Sequence, residues 1–307
     1  MVEWVLSRAA DILLALLLMA LILWFALTQP VFSFADSAEP SLRVDRKMLE
    51  SRLREVMAIQ SEQADKKARF TVTADYLRAR LSVVGSVEQL ERGDGLRILR
   101  LKAGKGFKRK LFVGMHYVVT EKPILEVAET ATSLIELVHA VAAADSVEMQ
   151  LDLTVFLHQV DGLEQGLTDA SIFHVEQVEQ QAKEGDIGIL FAPGLRVPDA
   201  VYATDQWRYF DYLLPATQDG LSVFGRFKDV LRLRDLKSKL HHYGLNSVNS
   251  LNIPVSFPGM GDSPMKYYWD RDLSVFLVRP DILINDKDFY GHANFISAWF
   301  GLLQKGL

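Results

Sequence analysis

The stretch KLFVGMHYVVT (110–120) constrains the fold more than any other part of this 307-residue chain. It is a near-continuous apolar run with β-branched residues, the composition of a strand covered on both faces. Such a strand belongs in the centre of a sheet with helices packed on each side. VEMQLDLTVFLHQV (147–160), DIGILFAPG (186–194) and LSVFLVRP (273–280) read as further strands, and GLRILRLKA (95–103) as an alternating, antiparallel one. Between and after them, ETATSLIELVHAVAAA (129–144), SIFHVEQVEQQAK (171–183) and HANFISAWFGLLQKGL (292–307) have helical character. RKMLESRLREVMAIQSEQADKK (46–67) is an opening amphipathic helix. TADYLRARLSVVG (73–85) is a short second one, with Thr73 as N-cap and Gly85 as its stop. The region 205–245 reads as mainly helical, and 195–205 and 245–270 as long loops. Helices alternating with strands specify an α/β fold: a three-layer α/β/α sandwich around a mixed, mostly parallel sheet. Sites in such sheets are expected at the carboxyl ends of strands.

Ahead of this domain lies ILLALLLMALILWFAL (12–27), sixteen residues without a charge. With Ala9, Ala10 and the following TQPVFSFA it has the length of a transmembrane helix, which needs about 20 residues. Trp4 and Trp24 suit the two interfaces. Arg8 precedes the span and Arg43, Arg46 and Lys47 follow it, so charge gives little direction; the short tail favours an inside N-terminus. The expected organisation is a cytoplasmic tail (1–8), a transmembrane signal anchor (9–30), a linker (31–45) and an α/β domain (46–307) on the extracytoplasmic, periplasmic face. The rival is a cleaved signal peptide with Ser33–Ala35 as its small-x-small site. The apolar core exceeds the roughly 7–15 residues of such peptides, which favours the uncleaved anchor.

A net charge of −5 argues against nucleic acid as a partner. The basic cluster KGFKRK (105–110) reads as a solvated turn beside a strand. With no cysteine, thiol nucleophiles, disulfides and thiolate-bound metals are excluded. A triad of Ser133, His116 and Asp161 could be drawn, but no Gly-x-Ser-x-Gly elbow exists to carry it. His241 and His242 are adjacent and diverge by about 100° on a helix.

The polar residues near strand ends are His116, Asp161, Glu164 and the group around Asn285, with Glu129 opening a helix. His and carboxylates from several strands are the raw material of a zinc site. In this order the chain resembles the zinc-dependent aminopeptidase family, which also contains glutaminyl cyclases and non-catalytic relatives. The resemblance runs from about residue 45 to 307. RKLFVGMHYVV resembles the family strand ending in His-Tyr-Asp, and VAETATSLIELVHAV its Asn-Asp-Asn-Ala-Ser-Gly segment and helix. FLHQVDGLEQGL resembles its Asp-Gly-Glu-Glu turn, GMGDSP its Gly-x-Ser-Asp-His loop, and INDKDFYGHANFISAWFGLL its last His-bearing turn and helix.

Carried over residue by residue, the resemblance implies a damaged site. His116, Glu129 and Glu164 occupy metal-ligand positions. Val118 stands where an Asp would orient the first His, and Leu163 where the family has its general base. Ala192 and Asn285 stand near the positions of the second Asp and the last His, and His292 lies beyond that motif. The expectation is a membrane-anchored, non-catalytic peptidase-like domain without cofactor, although a single residual zinc stays open. It would act as a structural or adaptor subunit beside membrane-protein partners. The alternatives are a divergent zinc aminopeptidase or cyclase, and a binding module using the vestigial cleft. Aromatic stretches supply candidate partner contacts at Trp207, Tyr209, Tyr267, Tyr268 and Trp269.

Overall fold

The computed structural model describes residues 2–28, 42–63, 65–93, 95–161, 163–191, 220–245, 247–256, 265–280 and 289–306. After helix α1 (Val2–Thr28), two helices open the domain, α2 (Arg46–Glu62) and α3 (Lys66–Ser82). Asp45 caps α2, its carboxylate accepting from the backbone N–H groups of Lys47 and Met48; Asp65 caps α3 through Ala68 N–H. The expected start of α3 at Thr73 is therefore too late. Thr73 lies inside that helix, and its hydroxyl donates back to the Arg69 carbonyl.

The sheet has eight strands: β1 (Glu88–Arg92), β2 (Leu96–Ala103), β3 (Arg109–Val119), β4 (Met149–Gln159), β5 (Ile187–Phe191), β6 (Gly220–Arg226), β7 (Ser247–Ile253) and β8 (Val275–Arg279). Their order is β1-β2-β4-β3-β5-β8-β6-β7. The centre, β4-β3-β5-β8, is parallel, as is β6-β7; β1-β2, β2-β4 and β6-β8 are antiparallel. The mixed, mostly parallel sheet expected from the apolar runs is present. Strands β6 and β7 fall where helix and loop were expected. GLSVFGR and SVNSLNI mix glycine, serine and asparagine into their runs, which hides the strand pattern.

The odd-numbered apolar residues of β3 and β4 belong to the larger core. Leu111, Val113, Met115 and Tyr117 pack with Leu151, Val155 and Leu157 beneath α2, α3, α4 (Leu125–Ala143), α6 (Val230–His242) and α8 (Tyr290–Lys305). The opposite face carries α5 (Leu163–Gln181) and the short α7 (Met265–Trp269), with Val175, Leu190, Phe224, Leu251, Tyr268 and Leu277 buried between. On that second face Asp152 of β4 holds Arg100 of β2 through two bonds of 3.0 and 2.7 Å. Both side chains are buried.

Helix α1 stands apart. Its described large apolar side chains, from Ile12 to Phe25, are 47–66% exposed on every side of the helix. Among the described residues no helix is long and apolar enough to cross a membrane. The stretch of α1 with consecutive described side chains ends at residues 11 and 25. The last residue of α1 touches the domain: the Thr28 carbonyl accepts from Lys237 Nζ of α6 at 3.2 Å and from Ser250 Oγ of β7 at 2.6 Å.

The buried ion pair on the second face gives a direct test. Asp152→Ala leaves the Arg100 guanidinium buried without its carboxylate and should cost about 3–5 kcal/mol, read as a lower urea midpoint at unchanged slope.

Candidate functional site

β3 does not end at His116. It continues through Tyr117, Val118 and Val119, so the histidine lies within the strand rather than at its mouth. Parallel register sets His116 beside Phe156 of β4, and Val118 beside His158. All four point to the α5 face. His116 Nδ1 and His158 Nε2 are 2.9 Å apart, one donating and the other accepting, and their rings stack at 5.1 Å. A third histidine, His174 of α5, closes on the same face. Its Nδ1 is 2.7 Å from the Tyr268 hydroxyl, and its ring meets Phe156 edge-on. Gly114 makes this approach possible, because a Cβ there would lie 3.0 Å from His174 Cε1 and 2.9 Å from Leu190 Cδ1.

These histidines are 0–1% exposed. Burial drives the His116 imidazolium down to about 3, with His174 adding to the shift, and burial likewise brings His174 down to about 3. His158 is lowered well below its usual value, again mainly by burial. All three are neutral rings at neutral pH. His116 Nε2, His158 Nδ1 and His174 Nε2 have no hydrogen-bond partner among the described residues.

The other candidate ligands do not join His116. Glu129 sits in the second turn of α4, on the opposite face of the sheet. Its Oε1 is 3.8 Å from His292 Nε2 of α8, and His292 Nδ1 is 3.0 Å from Ser133 Oγ. Ser133 is fully buried, so this Ser-His-Glu alignment offers no exposed nucleophile. The triad of Ser133, His116 and Asp161 is not assembled, since Asp161 is exposed and pairs with Lys66 at 3.3 Å. The side chain of Glu164 lies outside the described residues, as do Ala192, Asn285, Trp207 and Tyr209. Among the described residues no three His, Cys, Asp or Glu side chains are grouped to hold a metal.

Val118 and Leu163 meet. They form one small apolar cluster, 5% and 3% exposed, flanked by Val160 and Leu167. The positions where the family resemblance calls for an orienting Asp and a proton-accepting Glu are thus packed against each other. The mouth of β3 is also closed. Arg69 donates to the carbonyls of Thr120, Gln60 and Gln63, tying the α2–α3 junction over the strand end. Tyr117 and Gln60 are bonded beneath it. A groove of about 460 Å³ opens nearby, lined by Lys67, Phe70, Glu91, Arg97 and Gln159, but on the β1–β2 side and without the histidines.

This architecture is shared with known proteins. A leucine aminopeptidase precursor from Bacteroides thetaiotaomicron superposes with a TM-score of 0.54 over 87% of this chain and 99% of that one, at 10% identity. A glutaminyl cyclase from the same organism, crystallised with N-acetylhistamine, gives 0.53 over 89% and 100%, at 11% identity. A protein described as a zinc-dependent exopeptidase from Bacteroides vulgatus gives 0.51 over 90% and 100%, at 9% identity. The chain has the zinc-exopeptidase fold. At these identities the likeness is one of fold alone. In sequence, the uncharacterized protein YfbL of Escherichia coli K12 is 34% identical over 79 residues. That is 26% of this chain and 23% of YfbL, so the chain spans about a quarter of that relative. No protein-family model matches.

On the exopeptidase fold the aromatic candidates divide. Tyr268 and Trp269 are core residues, one bonded to His174 and the other donating its indole N–H to the Val275 carbonyl. They cannot serve as surface contacts. Tyr267 is partly buried against the same cluster. His158 and His174 were absent from the sequence-level candidates. The one hint lay in their positions, each flanked by apolar residues of a strand or helix.

Two measurements test this description. Leu163→Glu places a carboxylate in an apolar cluster and should lower stability by about 3 kcal/mol or more, whereas Leu163→Met should cost under about 1.5 kcal/mol; equal urea midpoints for both would contradict the packing. Acid should also unfold the protein early. The unfolded chain binds protons at His116 and His174 below about pH 6.5, while the folded rings stay neutral down to about 3. Stability is therefore lost as pH falls between those values, by up to ~1.4 kcal/mol per pH unit for each ring. His174→Phe should flatten that slope in a series of melts from pH 7 to about 4.

Proposed function

We propose that this protein is a membrane-anchored, non-catalytic member of the exopeptidase-like group, acting as a structural or adaptor subunit of a membrane complex. The observation that carries the loss of catalysis is the packing of Val118 against Leu163. Metal-dependent peptide hydrolysis needs a carboxylate or imidazole to take the proton of the attacking water, a contribution of ~10²–10⁴-fold. Leucine accepts no proton. The remaining donors are divided between the two faces of the sheet, His116 with His158 on one and Glu129 with His292 on the other. These residues do not fit a two-zinc centre.

Membrane anchoring rests on α1. A 27-residue helix has a length of about 40 Å at 1.5 Å per residue. Residues 12–27 carry no charge. A helix apolar and exposed on every side from Ile12 to Phe25 suits hydrocarbon rather than water. With the N-terminus cytoplasmic, the domain stands on the periplasmic side, where its partners would be other membrane proteins.

The deciding experiment is metal analysis with activity. After purification of the full chain in detergent, zinc should be well below one per chain. Hydrolysis of aminoacyl anilides and cyclisation of glutaminyl peptides should not exceed the buffer rate. Tightly held zinc, together with turnover abolished by Glu164→Ala, would establish a divergent zinc enzyme instead.

A further inference from the structure

We propose that the flank of α6 carrying Leu231 and Arg234 rests on the headgroups of an anionic bilayer, beside the point where α1 leaves the domain. The inference rests on the reading of α1 as the membrane anchor. It adds which face of the domain the membrane meets and which lipid chemistry that face selects.

The chain as a whole is acidic, with a net charge of −5. α6, VLRLRDLKSKLHH, is the reverse: Arg232, Arg234, Lys237 and Lys239 stand against Asp235 alone. Leu233, Leu236 and Leu240 turn its apolar side to the sheet. At 100° per residue, Arg234 lies about 60° round the helix from Lys237, and Leu231 about 60° further. These three follow one flank outward from the core. Leu231 is 75% exposed, more than any other large apolar side chain described, and Phe227 precedes it by four residues at 42%. An isolated exposed leucine is ordinary. A leucine and a phenylalanine beside an arginine that has no ion pair among the described residues, at the base of an apolar helix, have the composition of an interfacial contact.

The position of α1 gives that flank its partner. Lys237 Nζ donates to the Thr28 carbonyl and also to Ser250 Oγ, both at 3.2 Å. The end of α1 is thereby held between α6 and the edge strand β7. A bilayer around α1 must then lie close to this edge. Lys239 donates to the Gly306 carbonyl at 3.1 Å. Lys228 pairs with Asp272, and Arg232, on the far flank, donates to Ser274 Oγ at 2.9 Å. Asp235 lies about 40° from Leu231, on the side away from Arg234, and Lys239 follows it by four residues. Arg234 is left to meet the headgroups, and its attraction for an anionic surface decays within a Debye length, about 8 Å in physiological salt.

The absence of cysteine makes the test direct. The full chain carrying Leu231→Cys is labelled with a polarity-sensitive fluorophore. It is reconstituted in vesicles of phosphatidylcholine alone, or mixed with phosphatidylglycerol, each with a quencher on the acyl chain near the headgroup. Leu18→Cys reports on α1, and Val83→Cys, at 72% exposure on the end of α3, serves as a control on the domain. Quenching is expected at 18 in both lipids, at 231 more strongly with phosphatidylglycerol, and not at 83. Arg234→Glu should abolish the difference between lipids at 231. Quenching at 18 without quenching at 231 would overturn the docking and leave the anchor standing. Absence of quenching at 18 would overturn the anchor and the docking with it. Quenching at 231 that ignores both phosphatidylglycerol and Arg234→Glu would overturn the lipid selectivity.

Discussion

The parallel pairing of β3 with β4, continuous from Arg109↔Met149 to Val119↔Gln159, supports everything else in the domain. Both strands are interior, so both of their faces are covered. Their odd positions join one core under α2, α3, α4, α6 and α8; their even positions face α5 and include Phe156 and the buried polar groups His116, Asp152 and His158. A shift of one residue would exchange these sets. The register also decides which polar groups meet. His116 and His158 lie on the same face because their strands run parallel in that alignment.

The same division explains why the candidate ligands form no centre among the described residues. A sheet is a partition: side chains on opposite faces cannot share a metal unless they project beyond its edge. His116 is held inside the strand, three residues short of its end, while Glu129 belongs to the helix layer behind. Beyond the strand, Arg69 satisfies the Thr120 carbonyl, and Val118 with Leu163 fills the space in front. A carboxylate at 118 would be buried beside leucine, and one at 163 beside valine, so either alone would cost stability.

Two kinds of pairing hold the buried polar groups on the α5 face that have partners, one neutral and one charged. The histidines exchange hydrogen bonds with each other and with Tyr268, and Arg100 is held by Asp152. The first solution works only for uncharged rings, which is why burial depresses their proton affinity so far. The link from Lys237 and Ser250 to the last carbonyl of α1 is of a different kind: it joins the domain to the N-terminal helix through a helix terminus that has no further intrahelical donor.

The amino-acid sequence alone determined the α/β class, the central strands and most helices, because burial on both faces leaves long apolar runs that need no knowledge of neighbours. It also carried the order of motifs resembling zinc exopeptidases, with Leu163 at the position where that resemblance calls for a base. β6 and β7 were not legible, since Ser222, Asn249 and Asn252 interrupt the apolar pattern and gain their place only through pairing. Nor could the sequence show that Tyr268 and Trp269 are interior, or that His116 is partnered by His158 rather than by a carboxylate. Tertiary structure alone decided those points, because strand register and helix placement fix which side chains meet across forty or more residues. Periodicity tells a residue which way to face; only the assembled sheet tells it what it faces.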